Sequence, residues 1–313
     1  MSQSTLELGT HPRPVGEDRA AGAAAMHVAG QLQSAAERLG TALGLDRRDA
    51  RLEAQILAAR ALGVERAWLI GHDRDFLDAE RSARLDAFVA RREAGEPVAY
   101  ILGEKEFYGR LFKVTPDVLI PRPETELLVD AALARLPSDR PAKILDLGTG
   151  SGCIAVSLAL ARPDCAVTAV DRSPAALAVA RENGRCLCRG VDVAVRFLVS
   201  DWFDALAGAR FDLVVSNPPY VATADAHLAQ GDLRFEPVSA LASGVQGLDD
   251  IRQLVARAPD FLTPGGVFLF EHGRDQGAAC RGLMLATGFD AVTTLTDLAG
   301  LDRITVGRRP GRA

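Results

Sequence analysis

The chain has 313 residues, enough for one large domain plus a smaller one with a substantial core. An apolar fraction of 48% and a charged fraction of 25% are those of an ordinary globular protein, and a net charge of -5 gives no general pull toward nucleic acid. No apolar run reaches the roughly 18–20 residues of a membrane span, and the start Met1-Ser-Gln-Ser-Thr lacks the layout of a secretory signal.

Five cysteines (Cys153, Cys165, Cys186, Cys188, Cys280) are an odd number without Cys-x-x-Cys spacing, which argues against a disulfide framework and structural zinc. Cys186-Leu-Cys188 reads as ordinary thiols, and the five histidines lack ligand spacing. A reducing, cytoplasmic setting with no metal is expected.

Residues 1–25, with Pro12, Pro14 and an Ala-rich piece before Met26, read as a disordered leader, and Met26 is an alternative start. Residues 26–95 read as a small helical domain. Val28, Leu32, Ala35, Leu39 and Leu43 share the period of 3.6; Asp46 caps a second helix that stops at Gly63; a third runs from about Asp78 to Glu93. Such a bundle is expected to dock a substrate. Residues 96–120 read as a β-hairpin linker around Gly109, and Pro123 with Glu124 and Glu126 marks the start of a helix. From 121 to 313 strands and helices alternate, as in a doubly wound, mostly parallel α/β sheet. The strands are expected at 143–147, 166–170, 193–199, 211–215, 266–271, 291–295 and 303–306.

Chemistry gathers at the ends of four of these strands. Asp146-Leu-Gly-Thr-Gly-Ser-Gly152 places Gly148, Gly150 and Gly152 on alternate positions between a strand and a helix. Glycine permits a sharp turn and close approach of a ligand. The spacing differs from the Gly-x-Gly-x-x-Gly that seats a diphosphate, and the turn holds no lysine or arginine. It suits a ligand with an amino-acid group and a ribose. Asp171 ends the next strand, where a carboxylate would accept ribose hydroxyls; Trp202 ends the third, where an indole would cover an adenine. The fourth ends at Ser216-Asn217-Pro218-Pro219-Tyr220. Prolines stiffen this corner, so the Asn217 side-chain oxygen and the Pro218 carbonyl could accept both hydrogens of a planar NH₂ while Tyr220 packs on its face. Asn-Pro alone would mark only a strand-terminating turn.

Together these residues resemble the S-adenosylmethionine-dependent methyltransferases of the seven-strand class. Asn217-Pro-Pro-Tyr220 is similar to the signature of those that methylate planar nitrogens. Glu96-Pro-Val-Ala-Tyr100, Leu119-Ile-Pro-Arg-Pro-Glu-Thr-Glu126, Ser200-Asp-Trp-Phe203, Arg234-Phe-Glu-Pro237 and Glu271-His-Gly273 extend the resemblance to the PrmC (HemK) family of release factor glutamine methyltransferases, over residues 28 to 308. The resemblance implies a seven-stranded Rossmann-like sheet and N5-methylation of the glutamine in the Gly-Gly-Gln motif of class I peptide chain release factors. It further implies S-adenosylmethionine held by Gly148, Thr149, Gly150, Ser151, Gly152, Asp171, Trp202 and Asn217. Asn217, Pro218, Pro219 and Tyr220 would grip the glutamine, with Asn217, Pro218 and Tyr220 catalytic. A monomer without direct nucleic-acid contact is expected. Arg122 and Glu124 either shape the pocket or cap a helix in a surface ion pair. The alternative is a methyltransferase acting on an exocyclic amine of a DNA or RNA base, against which stand the net charge and the absence of a Lys/Arg stripe. A catalytically idle binding protein and an NAD-dependent oxidoreductase are the remaining alternatives.

Overall fold

The computed structural model describes residues 26–311, which divide into two compact units, one up to Val89 and one from Ala90. The leader expected over residues 1–25 lies outside the described residues. Among the described residues, no helix is long and apolar enough to cross a membrane, and no group of His, Cys, Asp and Glu could hold a metal.

The first unit is helical. α1 (Val28–Leu43) starts at His27, whose ring accepts the Gly30 N–H, and stops where Gly44 turns left-handed at φ 67°. α2 (Arg47–Leu62) starts at Asp46, which accepts the Asp49 N–H, and stops at Gly63. These are the side-chain caps and left-handed glycine stops that satisfy orphaned helix-end groups. A short α3 (Arg66–Gly71) was not expected; six residues are too few to show the helical period. α4 (Ala79–Glu93) runs across the boundary between the units. Val28, Leu39, Leu57, Leu69, Leu85 and Val89 are buried, and Arg38 on α1 pairs with Asp86 on α4 at 2.9 Å.

The second unit opens with α5 (Val98–Leu102), another short helix the sequence pattern did not reveal. An antiparallel hairpin follows, β1 (Glu104–Phe107) and β2 (Arg110–Lys113), turning at Gly109. Within this unit the hairpin is tied down by Asn183. Its side chain accepts the Lys113 N–H at 2.8 Å and donates to the Lys113 and Ser151 carbonyls. A 3₁₀ turn at Pro123–Thr125 leads into α6 (Glu126–Leu133).

The sheet alternates as expected: β3 (Lys143–Leu147), α7 (Cys153–Ala161), β4 (Ala166–Asp171), α8 (Pro174–Leu187), β5 (Ala194–Val199), β6 (Phe211–Ser216), α9 (Val238–Leu241), α10 (Asp249–Arg257), β7 (Leu262–Glu271), α11 (Gly277–Ala286), β8 (Asp290–Thr296) and β9 (Asp302–Arg308). The spatial order is β5-β4-β3-β6-β7-β9-β8, parallel from β5 to β7 and antiparallel at β9 and β8. β7 begins four residues before the expected Gly266. Thr263-Pro-Gly-Gly reads as a turn, and the chain absorbs it as a register shift against β6. Ile144, Leu145, Leu147, Leu213, Val214 and Val215 are buried on both faces of the sheet, as central parallel strands require. The order of strands reverses direction of winding at β3 and β6, and the carboxyl ends of such neighbours open the crevice in which α/β folds bind ligands.

Candidate active site

The crevice above β3 and β6 is a cleft of about 270 Å³ lined by Gly148, Thr149, Gly150, Ser151, Asp171 and Trp202, and by Arg122, Thr125, Asn217 and Pro219. The glycine turn is left-handed at Gly148 (φ 71°) and Gly150 (φ 53°). A β-carbon at Gly148 would stand 3.2 Å from the Trp202 ring, so only glycine lets the ring lie this close. The Gly148 and Thr149 N–H groups both donate to the Val170 carbonyl at 2.9 Å, which pins the turn to β4. Asp171 Oδ2 accepts from Gly150 N–H and Oδ1 from Ser173 N–H, each at 2.9 Å.

Beneath the turn, Asp146 is fully buried. Oδ2 accepts from the Thr149 hydroxyl at 2.6 Å, and among the described residues Oδ1 has no partner within hydrogen-bond distance, although the Ala155 N–H favours the charge. Burial pushes this carboxyl up to about 7, against the Thr149 hydrogen bond, which favours the ionised form.

Gly152 does not line the cleft. A β-carbon there would sit 3.1 Å from that of Ala180, so this glycine lets α8 approach the turn. Its signal in the sequence was that of a ligand-binding glycine, and the contact with Ala180 lies too far along the chain to be read from it.

The diproline corner brings Asn217 and Pro219 to the cleft wall. Ser216 Oγ donates to the Leu147 carbonyl at 2.8 Å, joining β6 to β3 just below. Asn217 Nδ2 donates to Thr125 Oγ1 at 3.1 Å, Thr125 Oγ1 donates to Glu271 Oε2 at 2.7 Å, and the Tyr220 hydroxyl donates to Glu271 Oε1 at 3.0 Å. Pro218 is buried, and neither it nor Tyr220 lines the cleft. The Tyr220 ring packs against the core that contains Leu145, Val214 and Phe270. Instead of presenting a flat face to a ligand, this tyrosine anchors a buried carboxylate.

Glu271 is buried to 1% exposure; burial raises its carboxyl above the ordinary range, while the Thr125 and Tyr220 hydrogen bonds and Arg303 favour the charge. Arg122 pairs with Glu236, whose side chain is fully buried and also accepts the Ile120 N–H at 2.9 Å. The partner of Arg122 is thus a buried carboxylate 114 residues on rather than a surface neighbour. Thr125, Glu236 and Glu271 were not singled out from the sequence. Their only signal was membership of the Pro-Arg-Pro-Glu-Thr-Glu, Arg-Phe-Glu-Pro and Glu-His-Gly segments.

These features fit a nucleoside that carries an amino-acid group. Bare backbone at the turn, a carboxylate at the end of β4 and an indole over the turn are present, and no cation stands in the turn to meet a diphosphate.

Comparison with known proteins gives the same assignment. The Methyltransferase small domain family matches residues 124–235, and the PrmC N-terminal domain family matches residues 31–103. The chain is 52% identical to the release factor glutamine methyltransferase of Bordetella pertussis over 82% of its own length and 94% of that protein. To that of Pseudomonas aeruginosa it is 51% identical over 84% and 94%, and to that of Escherichia coli 44% over 82% and 92%. In fold it is similar to the hMettl16 catalytic domain solved with a 3′UTR hairpin (TM-score 0.50, 13% identity, 72% of this chain and 81% of that one). The chain belongs to the release factor glutamine methyltransferases, S-adenosylmethionine-dependent enzymes built on the seven-strand methyltransferase fold.

Proposed function

We propose that the chain methylates the side-chain nitrogen of the glutamine in the Gly-Gly-Gln motif of class I peptide chain release factors, and so modulates translation termination. The observation that carries this reading is the hydrogen bond from Asn217 Nδ2 to Thr125. With its NH₂ end engaged, Asn217 offers an acceptor, Oδ1, at the wall of a cleft whose other side is the glycine turn. The names of the relatives support the substrate.

Gly148 to Ser151, Asp171 and Trp202 hold the cofactor in this reading, with Asp171 on the ribose. Bound S-adenosylmethionine supplies an activated methyl group on a sulfonium that leaves as a neutral thioether. The protein's task is to position a poor nucleophile whose lone pair is delocalised into its carbonyl. Asn217 Oδ1, at the cleft wall, accepts an N–H of the substrate carboxamide. It orients the nitrogen and stabilises the positive charge that builds there. Carboxylates, with ordinary pKa values of about 4, are far too weak to deprotonate an amide beforehand, so the proton leaves after transfer, to water. Tyr220 contributes through Glu271 and Pro219 by stiffening the corner. The helical residues 26–95 dock the protein substrate, residues 96–120 link them to the catalytic residues 121–313, and the enzyme works as a cytoplasmic monomer without nucleic acid.

Mass spectrometry of the Gly-Gly-Gln peptide, after a release factor is incubated with the protein and S-adenosylmethionine, tests the reading. A gain of one methyl on glutamine is expected. An unmodified peptide, with methyl transferred to total RNA or DNA instead, would overturn it.

A further inference from the structure

We infer that Glu271 is a positioning residue for methyl transfer: through the Thr125 hydroxyl it holds the Asn217 amide with Oδ1 rather than Nδ2 toward the cleft. The inference rests on the reading that Asn217 accepts from the substrate carboxamide.

A side-chain amide has two ends of nearly equal shape, one accepting and one donating. Packing cannot choose between them; only hydrogen-bond polarity can. Thr125 Oγ1 carries a single hydrogen, and Glu271 Oε2 takes it at 2.7 Å. What the hydroxyl has left for Asn217, 3.1 Å away, is a lone pair, so Asn217 must turn its NH₂ there. Glu271 is kept an acceptor on its other oxygen by Tyr220, whose phenol burial pushes well above its ordinary range and which therefore stays a donor. Were Thr125 free to reverse, Asn217 could swing its NH₂ toward the substrate, and donor would face donor.

The arrangement spans three chain segments. Thr125 lies on the turn before α6, Asn217 at the end of β6 and Glu271 at the end of β7. Thr125 and Glu271 are 2% and 1% exposed, so water does not compete for either. A buried carboxylate is an expensive way to satisfy two hydroxyls, since burial works against its charge. A neutral amide of the same size would set one acceptor and one donor against the two hydroxyls. A carboxylate differs in being acceptor-only at both oxygens, which is the property that polarises Thr125.

Thr125→Val, Thr125→Ser and Glu271→Gln, each alone and combined with Asn217→Ala, test this with a release factor as substrate. Thr125→Ser, which keeps the hydroxyl, is expected to retain kcat within about threefold. Thr125→Val and Glu271→Gln should lower kcat by about 10- to 100-fold, on the scale of a misaligned electrostatic contact. Calorimetric affinity for S-adenosylmethionine should stay within about threefold. In the Asn217→Ala background neither change should have a further effect. Unchanged kcat in Glu271→Gln, or losses that add to that of Asn217→Ala, would overturn the inference; a loss of kcat that tracks a loss of folded protein in both Thr125→Val and Glu271→Gln would do so too. If Asn217→Ala itself turns over normally, the reading of the acceptor corner fails instead, and the two failures are distinct.

Discussion

The Gly150 N–H donates to Asp171 Oδ2 at 2.9 Å, so the carboxylate at the end of β4 braces the glycine turn and lines the same cleft. Its other oxygen accepts the Ser173 N–H at the start of α8. Asp171→Ala removes these charge-assisted bonds together with the ribose acceptor proposed above. At about 1.5–3 kcal/mol for hydrogen bonds to a charged group, the Kd for S-adenosylmethionine should rise by about 10- to 100-fold. Isothermal titration of the variant reads this directly, and an unchanged Kd would remove Asp171 from the cofactor site.

Asn217→Ala deletes the acceptor at the cleft wall without disturbing β6, because the strand is held just below by Ser216 on the Leu147 carbonyl. The expected loss is in kcat, by about 100-fold or more, as for one preorganised contact to developing charge. Single-turnover measurement with saturating release factor isolates that step. A near-normal rate would mean that the nitrogen is positioned by other groups.

The strand ends were legible because each carries a residue type that a buried strand would not choose for packing: glycines after β3, Asp171 after β4, Trp202 after β5 and Asn217 after β6. Parallel topology then brings those ends to one edge, so local reading sufficed. What the pattern hid depends on distance along the chain. Thr125 meets Asn217 92 residues away and Glu271 146 away, and nothing local marks such a meeting. Gly152 and Tyr220 were visible as residues, but their surroundings, Ala180 and the core around Phe270, come only from packing. α3 and α5 are shorter than two turns, too short for a period to declare itself.

Gly247 faces the same corner from behind. A β-carbon there would lie 2.1 Å from the Tyr220 carbonyl oxygen, at a left-handed φ of 69°. Gln276 ties that carbonyl and the Gly247 carbonyl together from the α11 side, so the backbone has little room to yield. Gly247→Ala should cost about 2 kcal/mol or more in stability and displace Tyr220 from Glu271. Chemical denaturation gives the first quantity. If the variant unfolds at the parent's midpoint, the loop is looser than its hydrogen bonds indicate.

Asp146 gives the protein a pH dependence of defined sign. Burial disfavours the charge and pushes its carboxyl up from the ordinary 3.8 to about 7. The neutral form therefore stabilises the fold at low pH, and that contribution is lost as pH rises toward and through 7. Between pH 5 and 8 the loss should be about 2–3 kcal/mol. Asp146→Asn cannot ionise, and it also leaves a buried amide imperfectly paired beside Thr149, so its absolute stability should be lower at pH 5. The informative quantity is the slope: the difference in unfolding free energy, variant minus parent, should rise from pH 5 to pH 8 in cofactor-free protein. Urea titrations at the two pH values measure it. Parallel pH profiles would show that Asp146 is already ionised under the glycine turn, and that Oδ1 is paired after all.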